Sequence, residues 1–179
     1  MRVVNFIGQP GAGKSTLAAG LFFLAKRRGL NVELVTEYTK DALYEGHSFI
    51  LDDELLVFAE KYKRIKRLES SVDLVVTDSP LINSIFYSDA FGDEGRAFFR
   101  RVATSFDGFY VCVRRVVPYV PHARMSDASE ADLMDGVIRG WLRSEGVPHV
   151  EVDGNDEALG VVWRALAERG MVPPPDGKE

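Results

Sequence analysis

The chain has 179 residues, with 22 Lys and Arg against 27 Asp and Glu, for a formal net charge of −5. Its 46% hydrophobic and 27% charged residues fit one globular domain with a real core and exclude a disordered chain. No apolar run reaches the ~20 residues that cross a bilayer, no signal peptide precedes the first strand-like run, and a lone cysteine, Cys112, excludes an internal disulfide. A reducing, cytoplasmic setting is therefore expected.

Arg2 to Ile7 is a short apolar run closed by Gly8 and reads as a buried strand. A glycine-rich turn follows, Gly8 to Ser15. Thr16 to Arg28 then places Leu17, Leu21, Leu24 and Ala25 at helical spacing, with Gly29 as the stop. Asn31 to Thr36 reads as a second strand, so the first three elements form a βαβ unit with parallel strands. Asp52 to Ser71 is the longest expected helix, with Leu55, Phe58, Ala59, Tyr62, Ile65 and Leu68 on one stripe.

Val72 to Thr77 is a third strand and ends at Asp78-Ser79-Pro80. Helical stretches are expected around Ile82 to Asp89 and from Asp93 to Thr104, then a strand from Gly108 to Val113. Residues 114–128 contain Pro118 and Pro121 and read as a loop; Ser129 and Asp132 resemble a capping box for a helix running to about Arg143. A strand from His149 to Val152 and a helix from Glu157 to Arg169 complete the order. The expectation is one three-layer α/β domain over residues 1–172, with a five-stranded, mostly parallel sheet and a disordered tail at 173–179.

Gly8-Gln9-Pro10-Gly11-Ala12-Gly13-Lys14-Ser15 matches G-x-x-x-x-G-K-[ST] in full, with a strand before it and a helix after it. The glycines let backbone N–H groups converge on phosphate oxygens, and the helix that follows points its positive end at them. Lys14 would reach the β- and γ-phosphates, and the Ser15 hydroxyl would ligate Mg²⁺.

In open parallel sheets the ligand lies beyond the carboxyl ends of the strands. Glu37, Asp41 and Asp78 fall there. Asp78 closes an apolar run as a Mg²⁺-holding carboxylate does; the alternative is a helix cap. Glu37 suits a base that takes the proton of an alcohol acceptor; the alternative is a cap on the helix Tyr38 to Tyr44. Ser79 follows Asp78 where water-activating ATPases carry a second acid, and no Asn-Lys-x-Asp guanine-reading sequence occurs. Both absences favour a transferase.

Arg114, Arg115 and Arg124 flank or lie in the loop at 114–128, which reads as a lid with Arg124 able to approach the transferring phosphoryl group; exposed, ordinary arginines are the alternative. Lys61, Lys63, Arg64, Lys66 and Arg67 form a dense basic run. It is either the solvated face of an amphipathic helix, supported by Glu60 with Arg64, or a surface that contacts polynucleotide phosphates. His47, His122 and His149 show no metal-ligand spacing, and Cys112 reads as core. Tyr38, Tyr44, Phe49, Phe86 and Tyr87 could stack on a base or serve as packing.

Four segments in order, Gly8 to Thr16, Val35-Thr36-Glu37-Tyr38-Thr39-Lys40-Asp41, Val76-Thr77-Asp78-Ser79-Pro80-Leu81 and Arg114 to Arg124, resemble P-loop nucleoside and nucleotide kinases of thymidylate-kinase-like type. Within that group the chain is similar to bacteriophage 5-hydroxymethyluracil DNA kinases. The resemblance implies a single P-loop kinase domain working in the host cytoplasm. ATP and Mg²⁺ would bind at Gly8 to Thr16, Asp78 would hold metal or acceptor, and Arg124 would be a lid arginine. The implied acceptor is the hydroxymethyl group of 5-hydroxymethyluracil in DNA, with a free pyrimidine nucleoside or its monophosphate as the alternative and a non-catalytic nucleotide-binding module as the second. The net charge of −5 predicts weak, salt-sensitive DNA binding.

Overall fold

The five apolar runs form five strands: β1 (Arg2–Ile7), β2 (Val32–Val35), β3 (Leu74–Thr77), β4 (Asp107–Arg114) and β5 (His149–Asp153). This computed structural model describes residues 1–87, 91–116 and 128–174. The sheet order is β2-β3-β1-β4-β5, and every pairing is parallel. β3 is buried at all four positions and β1 at five of six, which explains continuous apolar runs rather than alternation.

Helices cover both faces, giving the expected three layers. On one side α1 (Lys14–Arg27) and α7 (Ala158–Glu168) pack Leu21, Ala25, Trp163 and Leu166 against Val4, Phe6 and Val111. On the other, Phe58 and Ile65 of α3 (Glu54–Lys66), Phe99 of α5 (Gly92–Ala103) and Leu142 of α6 (Ala128–Ser144) pack against Val3, Ile7 and Val75. The chain leaves β1 for the edge strand β2, returns to β3 beside β1, and then crosses to β4 on β1's other side. That reversal opens a crevice at the strands' carboxyl ends.

Several boundaries differ from expectation for local reasons. α1 starts at Lys14, before Thr16, because Gly13 takes φ 92° and turns the chain directly into the helix. A 3-10 turn, Ser48–Asp52, precedes α3, whose start is set by the Asp53 side chain accepting from the Leu56 N–H at 3.0 Å. The buried stripe of α3 carries Val57, Phe58 and Ile65, while Leu55 and Ala59 face solvent. The stripe is thus rotated from the expected one, and Lys61 falls within it, half-buried.

The segment expected as a helix from Ile82 is a 3-10 turn, Leu81–Asn83, followed by the short α4 (Ser84–Tyr87); residues 88–90 lie outside those described. α6 starts ahead of Ser129, and Asp132 pairs with Arg115 at 3.1 Å instead of completing a capping box. The Trp163 Nε1–H donates to the Pro173 carbonyl at 2.9 Å, tying down the residue where the tail was expected to begin.

The glycine-rich loop is wedged between two strand ends. A Cβ at Gly8 would lie 2.3 Å from the Val113 carbonyl oxygen of β4, and one at Gly154, just past β5, 2.1 Å from that of Ala12. Gly154→Ala is expected to cost on the order of 1–3 kcal/mol of stability, the usual range for overpacking, and to weaken nucleotide binding. Gly160→Ala, with open space around it on α7, should be neutral or stabilising by about 0.5–1 kcal/mol. Denaturant unfolding of the two variants checks this contrast.

Candidate nucleotide site

The loop Gly8 to Ser15 links β1 to α1, with Gly11 at φ 79° and the Ala12 N–H donating to the Gln9 carbonyl at 3.1 Å. Lys14 is the first residue of α1, so the N–H groups of the helix's first turn have no carbonyl of their own helix to meet. Its Nζ folds back and donates to the carbonyls of Gly8 at 2.8 Å and Gln9 at 3.1 Å. Burial pushes the pKa of this ammonium down; Glu37 opposes the shift, Lys40 adds to it, and Asp78 and Asp135 oppose it. Lys14 and the free N–H groups at the start of α1 are the donors a phosphate would need here.

Facing the loop are the ends of β2 and β3. Glu37 occupies the N-cap position of α2 (Tyr38–Tyr44), yet its side chain makes no capping bond. Its carboxylate accepts from Thr39 Oγ1 at 2.8 Å and lies 3.3 Å from Lys40 Nζ. Asp78, at the end of β3, makes no cap either: the following 3-10 turn has Pro80 at its N-cap. Asp78 is 6% exposed, its Oδ2 lies 3.9 Å from Lys40 Nζ, and its Oδ1 is buried without a hydrogen-bond partner. Lys40 also donates to Ser15 Oγ at 2.8 Å. Ser15, Glu37 and Asp78 are therefore brought together, and Lys40 joins them.

Asp41, the third acid expected at the strand ends, turns away. It accepts from Arg64 Nη1 at 2.6 Å, which clips α2 to α3.

This donor set fits a hard divalent cation. Asp78 Oδ2 and the Ser15 hydroxyl converge on the Lys40 ammonium, the other Asp78 oxygen is buried without a partner, and oxygen is the ligand Mg²⁺ prefers. Among the described residues no three His, Cys, Asp or Glu side chains gather into a metal site.

A second group of residues ties α6 to the loop. Arg139 is buried; its Nε donates to Asp135 Oδ2 at 2.6 Å and its Nη2 to the Val113 carbonyl at 3.0 Å, the same carbonyl on which Gly8 rests. Burial works against its charge, but the hydrogen bond and charge of Asp135 more than offset this, and its pKa is raised. Arg115 reaches the loop itself, donating to the Pro10 carbonyl at 3.4 Å and to Asp132. Arg114 pairs with Asp153 at 2.8 Å. Arg124 lies outside the described residues.

The basic run on α3 is not one continuous face. Lys63 pairs with Glu60 and Lys66 with Glu69, so the anticipated Glu60–Arg64 support is replaced: Arg64 goes to Asp41 and lies 5.1 Å from the Tyr38 ring. Lys61 is half-buried; burial pushes its pKa down while Glu54 and then Glu37 oppose the shift. Glu54 Oε1 is also buried without a partner. Tyr38 and Phe86 are packing residues, the latter edge-on to Trp141 at 5.8 Å, whereas Tyr44 and Phe49 are 74% and 72% exposed. The Cys112 thiol is pushed up to about 11 by burial, which makes it core rather than a nucleophile.

A phosphate-cradling loop between a buried strand and a helix, with Asp78 at the end of the adjacent strand of a parallel sheet, defines a nucleotide-binding P-loop domain. The AAA domain family model AAA_28 matches residues 3–158, and the chain belongs to that family. The matched span contains the loop, Glu37 and Asp78. A search of curated proteins finds no match. Among the described residues no helix is long and apolar enough to cross a membrane.

Sequence reasoning missed Lys40 and the Arg139–Asp135 pair, and read Lys61 only as part of the basic run. Arg139→Met strands Asp135 and the Val113 carbonyl, so a loss of about 3–5 kcal/mol is expected, as for other broken buried ion pairs. The double variant Arg139→Met with Asp135→Leu should recover part of that loss. Chemical unfolding of both variants provides the check.

Proposed function

We propose that this protein is an ATP-dependent phosphotransferase whose acceptor is a hydroxyl group. The observation that carries the reading is the carboxylate of Glu37, released from capping and held by Thr39 and Lys40 beside Ser15 and Asp78. A carboxylate in that position suits removal of a proton from an alcohol. In the proposed step the acceptor oxygen bonds to the γ-phosphorus, the bond to the β,γ-bridging oxygen breaks, ADP leaves, and Glu37 receives the acceptor's proton. Lys14 and the loop N–H groups hold the phosphates; Ser15 and Asp78 would hold Mg²⁺, which offsets phosphate charge when bound. Ser79, in place of a second acid after Asp78, supports transfer over hydrolysis. From sequence alone, Arg124 is the further candidate for stabilising the transferred group.

The acceptor proposed is the hydroxymethyl group of 5-hydroxymethyluracil in DNA. This rests on the family resemblance of the four motifs, and it is supported by exposed Tyr44 at the end of α2 and exposed Phe49 on the 3-10 turn that follows, each able to stack on a base. One observation favours the alternative of a free nucleoside or nucleoside monophosphate: ion pairs with Glu60, Glu69 and Asp41 occupy much of the basic run that would face DNA.

The test offers γ-labelled ATP and Mg²⁺ with 5-hydroxymethyluracil DNA, unmodified DNA, free pyrimidine nucleosides and their monophosphates. Label on the modified DNA is expected. Label only on free nucleosides or monophosphates selects the alternative, and label nowhere returns a nucleotide-binding module without catalysis. Glu37→Gln should lower turnover on the labelled acceptor by roughly 10²–10⁴-fold, the usual contribution of a general base, while ATP affinity is retained.

A further inference from the structure

Ser15 Oγ, Glu37 and Asp78 share one ammonium, that of Lys40, at 2.8, 3.3 and 3.9 Å. Ser15 and Asp78 are the groups that would hold the metal, so a tethered cation and a divalent cation compete for the same oxygens. Lys40 is on α2, three residues after Glu37, and one turn of helix delivers its ammonium to that carboxylate. Its side chain is 43% exposed, so the flexible stem can carry the head into water without unfolding anything. The backbone of α2 need not move, because Arg64 clips Asp41 to α3 independently of Lys40.

We propose that Lys40 is a built-in counter-cation that occupies the metal's ligands in the nucleotide-free protein, and that a divalent cation enters only by displacing it. Without Lys40, Lys14 would be left to offset the charge of the Glu37 and Asp78 carboxylates. With Lys40 in place that negative charge is offset further, and the apparent affinity for free divalent cation is lowered by the fraction of time the ammonium is away. Metal arriving with nucleotide brings phosphate oxygens as extra ligands and overcomes the competition. The proposal requires the metal site at Ser15 and Asp78 and is independent of what accepts the phosphoryl group.

The experiment measures Mn²⁺ binding to the full chain without nucleotide, from the electron paramagnetic resonance signal of free Mn²⁺. Lys40→Gln and Lys40→Met should each bind Mn²⁺ about tenfold more tightly than the native protein, if the ammonium holds the site roughly nine-tenths of the time. Lys40→Arg, which keeps the charge, should bind as the native protein does. Lys63→Gln removes an equal charge from the exposed face of α3 and should change nothing. Added Mn²⁺ should raise the melting temperature of Lys40→Gln more than that of the native protein.

The proposal is overturned if neither neutral variant tightens Mn²⁺ binding, or if Lys63→Gln tightens it equally. Asp78→Asn separates the two levels of the account. If it weakens binding of Mn²⁺ with ATP while the Lys40 variants behave as native, the metal site stands and the role of Lys40 falls. If Asp78→Asn binds Mn²⁺ with ATP as the native protein does, the site itself is misassigned and the proposal goes with it.

Discussion

Two carboxylates from neighbouring strands end within reach of the same positive charge, and that convergence organises the functional end of this molecule. Glu37 follows β2 and Asp78 follows β3, strands paired in register from Val32 with Leu74 to Val35 with Thr77. Glu37 lies two residues past Val35 and Asp78 one past Thr77, so the register brings both acids to the same end of the sheet. Like charges so placed need a cation between them, or one must take up a proton. The glycine-rich loop answers from across the crevice with Lys14 and Ser15, and α2 answers with Lys40. Anything that binds here must therefore bring or exchange positive charge, as a metal–nucleotide complex does.

The geometry depends on packing some distance from the acids. The loop rests on the Val113 carbonyl beneath Gly8 and on Gly154 against Ala12, contacts possible only because neither glycine has a Cβ. Arg139 fixes that same Val113 carbonyl from α6, at the point where β4 gives way to the segment at 117–127. A buried arginine is costly unless fully paired; here Asp135, Glu151 and two main-chain carbonyls supply the partners. The consequence is a rigid floor for phosphate.

Much of this was legible from sequence because the signals were local. The strands announced themselves as apolar runs, the loop as a spaced set of glycines with Lys14 and Ser15, and Asp78 as the end of a buried strand. What escaped were pairings between residues far apart in the chain. The basic run on α3 looks like one face in sequence, but Arg64 is claimed by Asp41 and Lys61 falls in the buried stripe. Arg139 appears as an ordinary helical arginine until β4 supplies its carbonyls. Lys40 was the most accessible of these, since its spacing from Glu37 is one helical turn. Its contacts to Ser15 and Asp78, however, exist only in the folded sheet.

The most direct test is a crystal structure with Mn²⁺ and a non-hydrolysable ATP analogue, with the metal located by anomalous scattering. The account predicts one peak between Ser15, Asp78 and the terminal phosphates, Lys14 turned from the Gly8 and Gln9 carbonyls toward phosphate, and Lys40 withdrawn from Ser15. A peak elsewhere, or Lys40 still bonded to Ser15 beside bound nucleotide, would contradict it.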